Sequence, residues 1–288
     1  FTATSTVAMT TTTKPQMTPL AAQSPLRRGV ITLALLVALP SGADAAPVDL
    51  STWTAESYPA VAGFPPGDWQ VAPGGASVLQ EENGQPTLFY SDFSARNTDV
   101  NGTIEVVTSS DDDVVGFVLG FDPGDSTSAT ADYLLVDWKQ NTQSFNFSGP
   151  PDANATPGST SEEGLAVSRV TGIPTADELW GHEDFPENPD GGVTELARAT
   201  NLGNSGWDDQ TAYDFRFVYT QTRLKIYVND VLEIDVAGTF PDGRLGFYNF
   251  SQGDVSYSAF ESVAIPSVPE PAALSGLFGL GALLLARR

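Results

Sequence analysis

The sequence contains no cysteine, a single histidine and two methionines. Without thiols it has no disulfide framework, no Cys-ligated metal site and no cysteine nucleophile. One imidazole, His182, excludes sites that need several and leaves oxygen as the available metal-ligating atom. Nothing in the sequence pairs His182 into a triad, so it reads as structural. Positive charge is scarce as well: 13 Lys and Arg stand against 36 Asp and Glu, a net charge of −23, and positions 47–268 hold only 8 basic residues against 34 acidic ones. Such a surface repels nucleic acid and anionic lipid, and it suits calcium, cationic polymers or simple solubility. Helical periodicity is almost absent. There is no Gly-x-Ser-x-Gly elbow, no phosphate-binding loop and no EF-hand.

Long apolar runs occur only near the two ends. Arg27-Arg28, an apolar stretch over 30–39 and Ala43-Asp44-Ala45-Ala46 follow the order of a signal peptide with an A-x-A cleavage site. At the other end, a Pro-rich linker leads to an apolar stretch over 271–286 and then Arg287-Arg288. Both runs fall short of the ~20 residues of an ordinary membrane span. The terminal arginines favour the cytoplasmic side, so the second run reads as a temporary anchor. The chain thus divides into a leader over 1–46, a folded body over 47–265 and a tail over 266–288.

The body reads as many strands separated by turn signals. Apolar or β-branched stretches at 87–93, 102–108, 165–170, 213–219, 244–250 and 255–263 predict strands. Residues 223–228 and 231–236, joined by Asn229-Asp230, predict a hairpin. Residues 177–182 predict a brief helix capped by Asp177, or else a turn. Residues 148–161 and 183–192 read as loops. The pattern predicts an all-β sandwich or jelly roll.

The most informative stretch is 109–140. Asp111-Asp112-Asp113 precedes an apolar strand at 114–121; a Pro123-Gly124-Asp125-Ser126 loop comes next, and then a second strand at 133–138. Three adjacent carboxylates repel one another, which predicts that the fold leaves them in solvent or gives them a hard cation. Calcium takes six to eight oxygens, and clustered acids in a loop can supply several. The bland alternative is a solvated strand end that deters edge pairing. Tyr133, Trp138, Trp180, Trp207 and Tyr213 are candidates for stacking on sugar faces, with core packing as the commoner use of such rings. Arg244, in Gly243-Arg244-Leu245-Gly246, predicts a carboxylate pair at a strand end. Glycoside hydrolysis needs two carboxylates across the scissile bond; the nearest pattern, Glu233-Ile234-Asp235-Val236-Ala237-Gly238, has glycine where a second Glu is required, and catalysis is not expected.

Two resemblances emerge from these residues. Val268-Pro269-Glu270-Pro271, the apolar stretch and Arg287-Arg288 together resemble the PEP-CTERM sorting signal of Gram-negative bacteria. That resemblance implies transient inner-membrane anchoring, processing by an exosortase near Pro269, Glu270 and Pro271, and delivery to the surface or extracellular matrix of exopolysaccharide-producing cells. The body, over roughly 68–260, resembles the thrombospondin C-terminal domain in four blocks in the family's order. These are Asp111-Asp112-Asp113-x-x-Gly116-Phe117-Val118-x-Gly120, residues 133–140 (Tyr133 to Gln140), residues 206–213 (Gly206-Trp207-Asp208-Asp209 to Tyr213) and residues 243–252 (Gly243-Arg244 to Gln252). This resemblance implies a concanavalin A-like jelly-roll fold, L-type lectin in kind, with calcium binding, an adhesive role and Asp209 as a further calcium ligand. The family's preceding calcium repeats and its cysteines are missing. The expectation is therefore a secreted, non-enzymatic, calcium-binding adhesion protein of a polysaccharide matrix, whose partners are an exosortase and exopolysaccharide or matrix proteins. A structural coat protein is the alternative, and a polysaccharide-degrading enzyme comes third.

Overall fold

Two kinds of strand occur in this sequence, and they build two different sheets. In a computed structural model that describes residues 45–148 and 158–266, the strands in chain order are β1 (Ala46–Pro47), β2 (Thr54–Ser57), β3 (Trp69–Val71), β4 (Ser77–Gln80), β5 (Thr87–Ser94), β6 (Thr98–Val106), β7 (Val114–Phe121), β8 (Asp132–Lys139), β9 (Gln143–Phe145), β10 (Ser159–Ser161) and β11 (Gly164–Gly172). The helix α1 (Ala176–Gly181) comes next, then β12 (Gly191–Arg198), β13 (Ala212–Tyr219), β14 (Arg223–Val228), β15 (Val231–Ala237), β16 (Arg244–Phe250) and β17 (Val255–Ala264). The leader up to residue 44 and the tail residues Pro269, Glu270, Pro271, Arg287 and Arg288 lie outside the described residues. No helix among the described residues is long and apolar enough to cross a membrane.

The seven-stranded sheet runs β12-β11-β8-β7-β16-β5-β2, and the larger sheet runs β15-β14-β13-β6-β17-β4-β3 with β1 also on β17; every pairing is antiparallel. All eight residues of β7 are buried, as are seven of eight in β8. Continuous apolar runs of this kind suit a sheet covered on both faces. One face of the smaller sheet, with Phe117, Val136 and Phe247, meets Phe215, Phe217 and Tyr257 of the larger sheet in the main core. Phe247 stacks on Tyr257 at 4.3 Å between ring centroids, and Phe117 lies 4.8 Å from Phe217. The other face, with Val118, Tyr133 and Phe250, is covered by Tyr58, Phe147 and Trp180 in a second cluster.

The larger sheet alternates instead. Phe215 and Phe217 of β13 and Ile104 and Val106 of β6 point into the core, while Asp214, Arg216, Asn101 and Glu105 point to solvent. This is the period-two signature of a half-solvated sheet.

Several details depart from the sequence reading. The α1 cap is Thr175, not Asp177: the Thr175 hydroxyl accepts from the Glu178 amide, and the Glu178 carboxylate accepts from the Thr175 amide, a reciprocal box. The Asp177 carboxylate, within the first turn, accepts from the Phe147 amide at 2.9 Å. Strand β12 was hidden in sequence by Gly191-Gly192 and by its charged residues, because it is an edge strand with a solvent side. Within the 183–192 loop Phe185 is buried, and within 148–161 the β10 residues pair with β9.

Candidate functional site

The acidic cluster lies where both sheets end. Val114 of β7 pairs with Lys139 and with Phe250, and Val255 of β17 pairs with Val106 of β6. The loop before β13 joins the two layers there: the Trp207 Nε1–H donates to the Asp113 carbonyl at 3.2 Å, and the Gln210 amide donates to the Val106 carbonyl at 2.8 Å. Carboxylate oxygens of Asp111, Asp112 and Asp113 all lie within 4.8 Å of one another, so the structure brings these three together.

The register of β7 against β8 also brings a lysine to them. Lys139 is 2% exposed, and its ammonium donates to Asp113 Oδ1 at 2.7 Å, to the Asp112 carbonyl at 2.6 Å and to Gln143 Oε1 at 3.0 Å. It lies 3.5 Å from Asp112 Oδ1 and 4.8 Å from the centroid of the Trp180 ring, a desolvated cation–π contact. One oxygen of Asp113 is therefore already satisfied by an ammonium. Burial pushes the Asp113 carboxyl up, against the pull of Lys139, and burial likewise raises Asp111. The Ser251 hydroxyl also hydrogen-bonds the Asp113 carboxylate, and amides supply further contacts. Asn83 donates to Asp111 Oδ2, Asn141 Nδ2 donates to Asp112 Oδ2 at 3.2 Å, and the Asp113 amide donates to Gln252 Oε1 at 3.0 Å. One lysine against three aspartates leaves about two negative charges at this end of the sandwich.

Asp209 is not part of that group; it sits on the neighbouring loop and accepts from Gln140 Nε2 at 3.1 Å. The proposed sugar-stacking tryptophans need correction. Trp138, Trp180 and Trp207 are 1%, 1% and 2% exposed, so their rings offer no face to a ligand arriving from solvent. Each indole N–H instead holds a backbone carbonyl: Trp138 that of Ser205 at 2.8 Å, Trp180 that of Gln143 at 3.0 Å, and Trp207 that of Asp113. Tyr133 is fully buried as well. Tyr213 is half-buried, edge-on to Trp138 at 4.7 Å, with its hydroxyl accepting from the Asp208 amide at 2.9 Å. The rings belong to the fold because they lie on inward strand positions, on the inner side of α1 or in the buried loop before β13, which a linear sequence does not distinguish from outward ones.

Other candidates are likewise taken up by the fold. Glu233 is 3% exposed, and its carboxylate accepts from the Asn201 amide (2.8 Å), the Leu202 amide (3.2 Å) and the Asn201 side chain (3.1 Å), which fixes the turn after β12. Arg244 donates to the Ser91 carbonyl at 3.2 Å rather than pairing with a carboxylate. His182 is structural but far from isolated. Its Nε2 lies 2.8 Å from Asp137 Oδ2 and its Nδ1 lies 3.2 Å from Glu195 Oε2, with Arg198 3.1 Å from the same Glu195 oxygen. Burial opposes charging the ring, but the Asp137 and Glu195 carboxylates outweigh it and hold the imidazole up to about 9. With both ring nitrogens engaged by carboxylates, His182 has none left to take a proton from a nucleophile. Asp137 and Glu195 were invisible in sequence, being 45 and 13 residues from His182.

The family model described as "Thrombospondin C-terminal region" matches residues 65–264. Among curated proteins, the chain is 31% identical over 213 residues to thrombospondin-3b of Danio rerio, covering 70% of this chain and 21% of that protein. It is 29% identical over 234 residues to thrombospondin-3 of Mus musculus, covering 74% and 22% respectively. The chain thus spans about a fifth of the length of these relatives. Among solved structures, the carbohydrate-binding module CBM66 from Bacillus subtilis aligns with a TM-score of 0.46 and 12% identity over 74% of this chain and 96% of that one.

Proposed function

The chain belongs to the thrombospondin C-terminal family, and on that premise we propose that it is an exported, non-enzymatic, calcium-stabilised module that binds polysaccharide in an extracellular matrix. The observation that carries this reading is the excess negative charge at one end of the sandwich, where three carboxylates cluster and one ammonium pairs with two of them. The donor set fits calcium. It is all oxygen, its atoms lie within a span that a 2.3–2.6 Å coordination shell can bridge, and Lys139 compensates only part of its charge. Asp111, Asp112 and the oxygen of Asp113 turned from Lys139 would hold the ion. Asn83 and Asn141, whose amides now donate to the cluster, can offer oxygen by rotating half a turn. Bound calcium would supply charge neutralisation and tie the segment before β7 to the loops bearing those asparagines. It would organise loops and perform no chemistry; the chain's own contribution is Lys139, whose ammonium fixes one oxygen of Asp113 in place.

The acidic surface and the sorting signal read at Pro269, Glu270, Pro271, Arg287 and Arg288 support export, with an exosortase as processing partner, transient inner-membrane anchoring, and exopolysaccharide or matrix proteins as later partners. Glu233 lends no support to hydrolysis, since its carboxylate is bound by backbone amides. An equilibrium glycan array with the calcium-loaded protein tests the reading. The expected outcome is selective retention of a subset of glycans at micromolar affinity without turnover. A protein that retains none is the structural coat protein instead, and one that shortens a polysaccharide is an enzyme.

A further inference from the structure

The solvent face of the larger sheet carries a depression of about 430 Å³ across β13, β6 and β17. Its floor is not an ordinary outward strand surface. Ser258 of β17 pairs with Thr103 and Glu261 with Asn101, so Ala259 and Phe260 together oppose Gly102. The extra residue re-aims the rest of the strand: Phe260 turns into the core and Glu261 turns out beside Asn101, where strict alternation would have done the reverse. Gly102 makes room for this, since a Cβ there would lie 2.4 Å from the Phe260 ring. Ala259, exposed at the bulge, holds φ 56°, a left-handed conformation that L-residues rarely adopt.

The side chains around this bulge divide into two sets. Arg216 is already neutralised, with a two-point pair to Asp99 at 2.8 and 2.6 Å, and it lies over the Tyr227 ring at 5.2 Å. The Thr103 hydroxyl donates to Asp214 Oδ1 at 2.8 Å. By contrast, the side chains of Asn101, Asp230 and Glu261 make no hydrogen bond or ion pair among the described residues. The depression therefore presents three carboxylates (Asp214, Glu261 and Asp230, the last also acting on the Arg216 guanidinium) next to a free amide, a hydroxyl and a guanidinium fixed by Asp99. Carboxylates call for cationic groups, and the mixed donors and acceptors suit hydroxyls spaced along a chain. Neighbouring strands ~4.8 Å apart set these groups in a row across the sheet.

We propose that this depression binds an oligosaccharide bearing free amino groups, with Glu261 and Asp230 receiving the ammonium groups and Asn101, Thr103 and Arg216 the hydroxyls. The proposal rests on the reading of the chain as a polysaccharide-binding module and adds to it the ligand class and the surface, which is distinct from the acidic cluster at the sheet ends. The test titrates a glucosamine tetrasaccharide, its N-acetylated counterpart and tetralysine into the calcium-loaded protein and its Glu261→Gln/Asp230→Asn variant. The glucosamine oligomer should bind at least tenfold tighter than the acetylated one, and the double variant should lose at least tenfold with an unchanged melting temperature. Equal affinity in the variant overturns the location while leaving polysaccharide binding standing. Tighter binding of tetralysine overturns the sugar in favour of a basic peptide. If the glucosamine oligomer does not bind, the proposal falls; glycans still retained on the array would show that the broader reading survives it.

Discussion

Replacing Lys139 by methionine is expected to cost the fold about 3–5 kcal/mol, because it leaves the Asp113 carboxylate buried without its cation. The side chains are 3% and 7% exposed, so water cannot take the place of the ammonium. For a domain of this size the loss corresponds to a fall in melting temperature on the order of 10 °C. Methionine keeps the length and the contact with Trp180, so the change reports the charge rather than a cavity. Adding Asp113→Asn to Lys139→Met should recover more than half of the loss, since the uncompensated charge is then gone. The Lys139→Met variant should also gain more stability from calcium than the wild type, because the cluster would carry one more negative charge. A single variant that melts with the wild type would show that Asp113 is solvated after all.

The second large effect is a dependence on pH set by His182. Its folded pKa, about 9, lies above its unfolded value near 6.5. The folded state therefore binds the proton more tightly. The stability that this provides is fully present below pH 6.5 and is lost as the pH climbs through 9. The gap is worth about 3 kcal/mol. Asp137 from β8 and Glu195 with Arg198 from β12 are the charged groups that face the ring, and Asp137 Oδ1 has no hydrogen-bond partner within the described protein. A neutral imidazole has one N–H for two carboxylates, so either Asp137 or Glu195 would lose its donor, and both would lose the opposing charge. Denaturant unfolding at pH 6.5 and 9.5 should show the loss, and His182→Gln should flatten it. A wild-type stability that is level across this range, or a drop that persists in the variant, would remove the imidazolium from the account.

The parts of the fold that were legible in sequence are those where one physical signal dominates. The apolar runs of β7 and β16 mark strands buried on both faces, and their ends coincide with the predicted 114–121 and 244–250. Asn229-Asp230, both at positive φ, form the turn between β14 and β15 as their type requires. The site was half legible. Three consecutive aspartates announce a charge problem, but its partial solution, Lys139, is 26 residues from Asp113 and becomes a neighbour only once the register of β7 and β8 is fixed. The tryptophans were harder, because aromatic content does not reveal which side of a strand a ring takes. Trp138 sits on the inward side, between the sheets, while Trp180 closes over the other face of the smaller sheet. The bulge at Ala259 had no signal in sequence: nothing in Tyr257-Ser258-Ala259-Phe260-Glu261 marks where alternation breaks.

The central claim, that calcium stabilises this sandwich through Asp111–Asp113, is tested most directly by thermal unfolding with excess calcium and with chelator, for the wild type and for Asp111→Asn/Asp112→Asn. These two positions are chosen because Asp113 is already committed to Lys139. An ion that binds only the folded state adds RT ln(1 + [L]/Kd), ~2.7 kcal/mol at a hundredfold excess over Kd. The account predicts a rise in melting temperature of roughly 5–10 °C in the wild type, and none in the double variant. Coincident wild-type curves with calcium and with chelator, or a calcium shift that survives the double substitution, would contradict it.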